Sequence, residues 1–432
     1  MTCELEEIEI KNLDHLGIVA GIIDDIGIVE LVNELLGTDS RENINCGQVV
    51  KAIILNGLGF VSRPLYLFSN FFQDKAVENL LGAGTKAEDL NDDKLGRVMD
   101  KLYKYGLTKI FLFIGLEVIK KHGISTKFSH LDSTSFHLHG QYKNQKDQEI
   151  KEKRLEVIRE NPIFITEGYS RDHRSDLKQC VLDLIVSSDG DIPIFIRGGS
   201  GNESDKAMFG KIFAEYSQQI DFESIMIADS ALYSAKNLIL IEALKWISRV
   251  PLSIKKAKNL VKATKSEELE ESESKGYKYL EVKVTYGGID QRWMIVESAE
   301  VTSLEVLTAY KQQQSCERGF RFLKDPLFFT DSLYIKNPER IETMMMLMGL
   351  SLLVYTIGQR EIRNNLERSK SFIKNQVNKL IQRPTLRWIF QCFQGIHCFK
   401  LEGVERISNL SEERCRILKF LPIACQKYYL IA

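Results

Sequence analysis

At residue 126 the apolar residues of this chain change period, and that change restricts the fold more than any other feature. Before it, GIVAGIIDDIGIVELVNELLG and CGQVVKAIILNGLGFV space their apolar residues by three and four, punctuated by glycine, which predicts helices. DDKLGRVMDKLYKYGLTKIFLFIGLEVIKKHG continues in that style and closes on a basic turn and a glycine, a helix C-terminus. After the change, KFSHLDSTSF reads as a strand, and QCVLDLIVSSDGDIPIFIRGG as two strands around an SSDGD turn. SDKAMFGKIFAEYSQQI is then helical, SIMIAD a strand, AKNLILIEALK a helix and WISRVP a strand. Three strands, helix, strand, helix, strand requires a mixed sheet with helices on both faces.

Five segments follow from the pattern. Residues 1–125 form a helical N-terminal domain, and residues 126–254 the first part of the sheet core. Residues 255–300 form a β-rich insertion, carrying the acidic patch EELEESES and a hairpin read from YLEVKVTYGG and IDQRWMIVES. Residues 301–360 return to the core with a polar helix and an apolar one, and residues 361–432 are helical and partly basic, with Pro384 beginning one of the short helices. TMMMLMGLSLLVYTI (343–357), bracketed by Glu342 and Arg360, is shorter than the ~20 residues that cross a bilayer. It reads as a buried core helix, and no membrane partner is expected.

With 432 residues and 49.5 kDa, the chain has room for two or three domains with a substantial core. A net charge of −1 excludes a polycation, so binding to nucleic acid would depend on local basic surface. Such a surface is offered between Lys245 and Lys265, where Lys245, Arg249, Lys255, Lys256, Lys258, Lys262 and Lys265 stand without an acidic residue. Lys255, Lys256 and Lys258 are the candidates there for phosphate contacts, which would make binding salt-sensitive. The eight cysteines form no CxxC pair, and MTCELEEIEI is acidic where a signal peptide needs basic residues. Reduced thiols in the cytoplasm are the expectation. His130, His137 and His139 lie near Asp132, but zinc would want further convergent ligands and no cysteine is nearby. These histidines are read as solvent or phosphate contacts, and the Cys392/His397/Cys398 group as core.

The chemistry concentrates in AYKQQQSCERGFRFLKDP. On one continuous helix Tyr310, Gln313, Glu317 and Lys324, separated by three, four and seven residues, would share a stripe. An aromatic, a carboxamide, a carboxylate and an ammonium make a poor core and a good reader of phosphate, base and metal. Arg318 and Arg321 sit off that stripe. Asp132, in FSHLDSTSFHLHG, and Asp229, in SIMIADSALYS, each come at or near the end of a strand-like run. Asp132, Asp229 and Glu317 are therefore the candidate catalytic and metal-binding residues. Two hard cations about 3.5–4 Å apart, held by carboxylates, can activate water, relieve charge on a phosphodiester and help the leaving oxygen.

These blocks resemble the DDE transposases of bacterial insertion sequences, in the IS4-like superfamily and its IS1634 branch. The helix signature of that family is Tyr-x2-Arg-x3-Glu-x6-Lys, matched at Tyr310, Glu317 and Lys324, with Gln313 where arginine is expected. HLDSTSFHLHG, GYSRDHRSDLKQ, SGNESD, IADSALYS, KWISRVP and ERGFRFLKDP carry the similarity over about residues 128–360, and the N-terminal segment resembles the helical domain that precedes the core. The resemblance implies an RNase H-like mixed-sheet core with a β-rich insertion, flanked by helical N-terminal and C-terminal regions. It implies cut-and-paste transposition: binding of terminal inverted repeats by a homodimer, then cleavage and strand transfer of double-stranded DNA with two Mg2+ or Mn2+ ions. The cytoplasm, at the nucleoid, is the implied location. Tyr310, Gln313 and Lys324 would contact DNA near the cut, Arg318 and Arg321 would stand in for the missing arginine, and Trp293 would hold a flipped base or pack in the core. Gln313 keeps open an inactive or repurposed DNA-binding derivative, and the fold alone keeps open another RNase H-like nuclease.

Overall fold

Strand β1 (Phe128–Leu138) is the middle of a five-stranded mixed sheet with β2 (Lys178–Ser187), β3 (Pro193–Ser200), β4 (Ile225–Ala228) and β5 (Lys245–Ser248) in the order β3-β2-β1-β4-β5. The first three strands run antiparallel to their neighbours, whereas β4 is parallel to β1 and β5 parallel to β4. All of β2 after Lys178 is buried, as expected of a strand covered on both faces. Gly190 and Asp191 take left-handed conformations (φ 84 and 60) in the turn to β3, which glycine and aspartate tolerate best. Helix α1 (Asp205–Gln219) buries Phe209, Ile212, Phe213 and Tyr216, one stripe at helical spacing, and Tyr216 meets Phe195 of β3 edge-on at 5.9 Å.

The computed structural model describes residues 9–60, 63–138, 162–168, 177–271, 277–298, 310–326, 335–401 and 404–429. Its chain divides into two compact units, His122–Phe320 and the pair of segments Met1–Lys121 and Arg321–Ala432. The strands and helices read from the sequence of the first unit are present. The helix read from AKNLILIEALK is shorter, α2 (Ala235–Leu240), started by the Ser234 side chain accepting from the Asn237 N–H. The insertion holds the expected hairpin and, before it, an exposed basic helix, α3 (Lys255–Ala263), of which Ala257 alone is buried. Strand β6 (Glu270–Glu271) borders the hairpin of β7 (Tyr277–Tyr286) and β8 (Ile289–Ser298). Gly287 and Gly288, both at positive φ, make its two-residue turn. Helix α4 (Gln314–Leu323) follows, and the boundary between the units falls within it.

In the second unit the chain ends come together, where the sequence reading separates residues 1–125 from 361–432. Strand Ile10–Asn12 pairs with His397–Leu401, which pairs with Val404–Ser408. The helix Leu16–Ile26 meets Ile423–Lys427 backbone to backbone: a Cβ on Gly21 would stand 2.3 Å from the Cys425 Cα. The apolar run at 343–357 belongs to a longer helix, Pro338–Arg368, begun by an Asn337 cap and Pro338. By length and composition that helix could cross a membrane, but 89% of its apolar window is buried inside the protein. It is a core helix of this unit.

The C-terminal region is less helical than its composition suggests. Ile373–Lys374 and Leu380–Ile381 form a short hairpin, and His397–Leu401 pairs with Val404–Ser408 as strands. The next helix starts at Leu386, capped by Thr385 rather than begun by Pro384. The seven described cysteines are all free.

Candidate active site

The last residue pair of the parallel ladder between β1 and β4 is Leu131–Ala228, so Asp132 and Asp229 each come one residue beyond it. Neighbouring strands lie about 4.8 Å apart, which makes these two half-buried carboxylates neighbours on the sheet. Asp132 is not near the end of its own strand, as the sequence suggests, because β1 runs on to Leu138. What ends there is its pairing with β4. Each aspartate is fixed locally: Asp132 Oδ1 accepts from the Ser133 N–H at 2.8 Å, and Asp229 Oδ1 from the Ala231 N–H at 2.8 Å. The half-buried Tyr310 lies in the field of both. Burial raises its hydroxyl pKa, Asp229 and Asp132 add to the rise, and Arg249 opposes it.

Helix α4 is anchored on β1 by two side chains from its start. Gln313 Nε2 donates to the Leu131 carbonyl at 2.9 Å, and the Cys316 thiol donates to the His130 carbonyl at 3.2 Å. Burial, ahead of the nearby Asp132, Asp191 and Glu317, pushes the Cys316 thiol well above the usual thiol range, so it stays neutral. Glu317 is exposed on the first turn.

The single stripe expected from Tyr310 to Lys324 is not formed. A turn at residues 312–313 interrupts the helix, with Gln313 N–H bonded to the Tyr310 carbonyl and Ser315 N–H to the Gln312 carbonyl. Tyr310 and Gln313 therefore precede α4, and Lys324 follows it. Arg318 is held as a fork on Asp191, with both contacts at 2.7 Å, and this ion pair keeps its guanidinium charged. Arg321 is exposed and Lys324 half-buried, and both belong to the other compact unit.

The donor chemistry fits oxygen-seeking divalent ions, with two adjacent carboxylates on the sheet and a third on the helix anchored to it. Among the described residues, no three His, Cys, Asp or Glu side chains are gathered tightly enough to hold a metal ion. The histidines read as solvent or phosphate contacts do not share one setting, for His130 is fully buried and meets neither. Burial lowers the His130 pKa to about 4, so the ring is neutral, His137 is half-buried, and His139 lies outside the described residues.

Beside Asp132 is a buried ion network that sequence reasoning passed over. Ser133 Oγ donates to Asp183 Oδ1 at 2.6 Å, Arg197 donates to Asp183 Oδ2, and Arg197 also donates to Glu203 at 2.7 Å. Glu203 in turn accepts from the Ser200 N–H at 3.0 Å. The available signal was a charged residue inside each of two apolar runs, VLDLIV and IFIRGG, since buried charges are almost always paired.

The insertion meets the sheet through aromatic residues. Trp293 is 5% exposed, its indole N–H donates to the Tyr233 hydroxyl at 2.6 Å, and Tyr286 stacks on Tyr233 with centroids 5.5 Å apart. Buried in this way, Trp293 presents no open ring face to a base. On α3, Lys255, Lys256 and Lys258 are exposed, and Lys256 reaches the Thr285 carbonyl at 3.2 Å. Lys245, by contrast, is engaged with Glu223 at 2.6 Å.

Two family models match most of the chain. The family described as Transposase DDE domain matches residues 126–356, and a domain of unknown function, DUF4277, matches residues 8–116. No curated protein matches the chain. Among solved structures it is similar to the piggyBac transposase in a cryo-EM structure of the synaptic complex with hairpin DNA, at 11% identity and a TM-score of 0.40, covering 94% of this chain and 84% of that one. With more than half of its length matched by that family, and a mixed sheet that sets two aspartates side by side, the chain belongs to the DDE-domain transposases.

Proposed function

We propose that this chain is the transposase of a bacterial insertion sequence of the IS4-like superfamily, IS1634 branch. On this reading it binds the terminal inverted repeats of its own element as a homodimer and moves the element by cut-and-paste. The observation that carries the reading is the parallel pairing of β1 with β4, which brings Asp132 beside Asp229 under the anchored start of α4. The sheet order, with three antiparallel strands followed by two parallel ones, supports an RNase H-like core.

Asp132, Asp229 and Glu317 would hold two divalent ions, Mg2+ or Mn2+. Such ions, when bound, place positive charge beside a phosphodiester and lower the pKa of water. The protein's own part is to orient. The Ser133 and Ala231 N–H groups each fix one oxygen of an aspartate, leaving the carboxylates little freedom to rotate. Tyr310, half-buried with its hydroxyl neutral, offers an aromatic edge and a hydrogen bond beside the aspartates. The exposed lysines of α3 supply phosphate contacts that position the duplex without reading its sequence.

The test is incubation of the purified protein with Mn2+ and a labelled duplex copied from the repeats that flank its coding region. Cleavage at the repeat end is expected, and Asp132→Ala, Asp229→Ala and Glu317→Ala should each abolish it while leaving the circular dichroism spectrum unchanged. Full cleavage by Asp132→Ala would sink the assignment.

A further inference from the structure

We infer that Gln313 is a positioning residue, which locks the helix of Glu317 to the strand of Asp132, and not a DNA contact. The inference rests on the carboxylate reading above. Leu131 is the last residue of β1 paired with β4, so its carbonyl lies where the parallel ladder runs out. A buried carbonyl at such a place needs a donor. Gln313 supplies it at 2.9 Å, and because only the amide nitrogen can donate to a carbonyl, the orientation of the carboxamide is set.

The Leu131 carbonyl belongs to the same peptide plane as the Asp132 N–H, so a bond to one holds the other. Four residues after Gln313 comes Glu317, with Cys316 making the second anchor to β1 at the His130 carbonyl. The Gln313 Oε1 is buried, turned away from solvent together with the donor that faces Leu131. A group meant for phosphate would keep its donors outward. Glutamine suits this turn because it is neutral, long enough to reach the strand, and a donor.

The test compares wild type, Gln313→Met and Gln313→Glu as full-length proteins. Mn2+ affinity is measured by calorimetry without DNA, and binding of the flanking-repeat duplex by fluorescence anisotropy in EDTA. Melting curves ensure that all measurements are made on folded protein. Loss of an outer support of this kind typically weakens metal binding by about tenfold or more, so both variants should bind Mn2+ about tenfold more weakly while duplex affinity stays within about twofold. Weakened duplex binding with unchanged Mn2+ affinity would make Gln313 a DNA contact and overturn the inference. Equal loss of both, or loss of neither, would overturn it as well. Asp132→Ala separates the two layers: if it binds Mn2+ as wild type does, the carboxylate reading itself has failed.

Discussion

Arg197 and Asp183 form an ion pair on adjacent strands in which each side chain is only 2% exposed. The pair is tolerable because Ser133 satisfies the second Asp183 oxygen and Glu203 takes the other terminal nitrogen of Arg197, which leaves only the Arg197 Nε unpaired, and Ser133 follows Asp132 in the chain. A network so deeply placed makes the middle of the sheet rigid next to the proposed catalytic aspartate.

Breaking this pair from one side should be costly. Arg197→Met leaves Asp183 charged and buried, and a loss of about 3–5 kcal/mol is expected. Asp183→Leu combined with Arg197→Met removes both charges and should be much milder. Calorimetric melting of the three variants measures the difference, and a double variant as unstable as Arg197→Met would refute the account.

Close backbone contact between the chain ends predicts a sensitive glycine. Gly21→Ala would place a methyl 2.3 Å from the Cys425 Cα, where backbone must move to admit it. Overpacking of this kind costs about 1–3 kcal/mol, read as a lower melting temperature.

Acid should destabilise the unit that contains His15. This buried ring donates from Nε2 to the Leu58 carbonyl at 2.8 Å and accepts at Nδ1 from the Gln394 amide at 2.7 Å. A second proton on Nδ1 would face an N–H donor. Burial lowers its pKa from 6.5 to about 4, so between those values the unfolded chain takes a proton that the folded chain refuses. Stability from this residue is fully present above pH 6.5 and declines as pH falls towards 4, by about 3 kcal/mol in all. Denaturant melts at pH 7, 5.5 and 4.5 should show the decline, and His15→Gln should flatten it.

Trp293 should behave as packing for the insertion. Trp293→Phe removes the N–H that meets Tyr233 and is expected to cost about 1 kcal/mol, whereas Trp293→Ala opens a cavity worth about 3–5 kcal/mol. Limited proteolysis between residues 277 and 298 should quicken in that order. Equal resistance of all three proteins would place Trp293 outside the packing.

The α3 lysines should act through salt-dependent contacts. Replacing Lys255, Lys256 and Lys258 together by alanine is expected to lower the slope of log affinity against log salt by about two to three. Binding to specific and random duplexes should weaken alike, because phosphate contacts carry no sequence information. An unchanged slope would remove α3 from the DNA-binding surface.

The legible part of the fold was the part with local period. β1 to β5, α1, the hairpin and the N-terminal helices all follow from residue spacing that neighbours in sequence impose on one another. The C-terminal hairpins were harder to see, because Ile373–Lys374, Leu380–Ile381 and His397–Leu401 are short and flanked by helix-favouring basic residues. The stripe from Tyr310 to Lys324 assumed one unbroken helix, and two residues of turn at 312–313 were enough to undo it.

Sequence by itself determined which residue types could do chemistry here, and that Asp132 lies on a strand and Asp229 directly after one, because strand-forming runs and carboxylates are both local properties. Only the tertiary structure decided which of these residues meet. Parallel pairing of β1 with β4 put the two aspartates side by side, burial turned Gln313 and Trp293 inward onto Leu131 and Tyr233, and charge drew the exposed Arg318 onto Asp191. Those partners are far apart along the chain, and a buried polar group must find a partner wherever the fold supplies one.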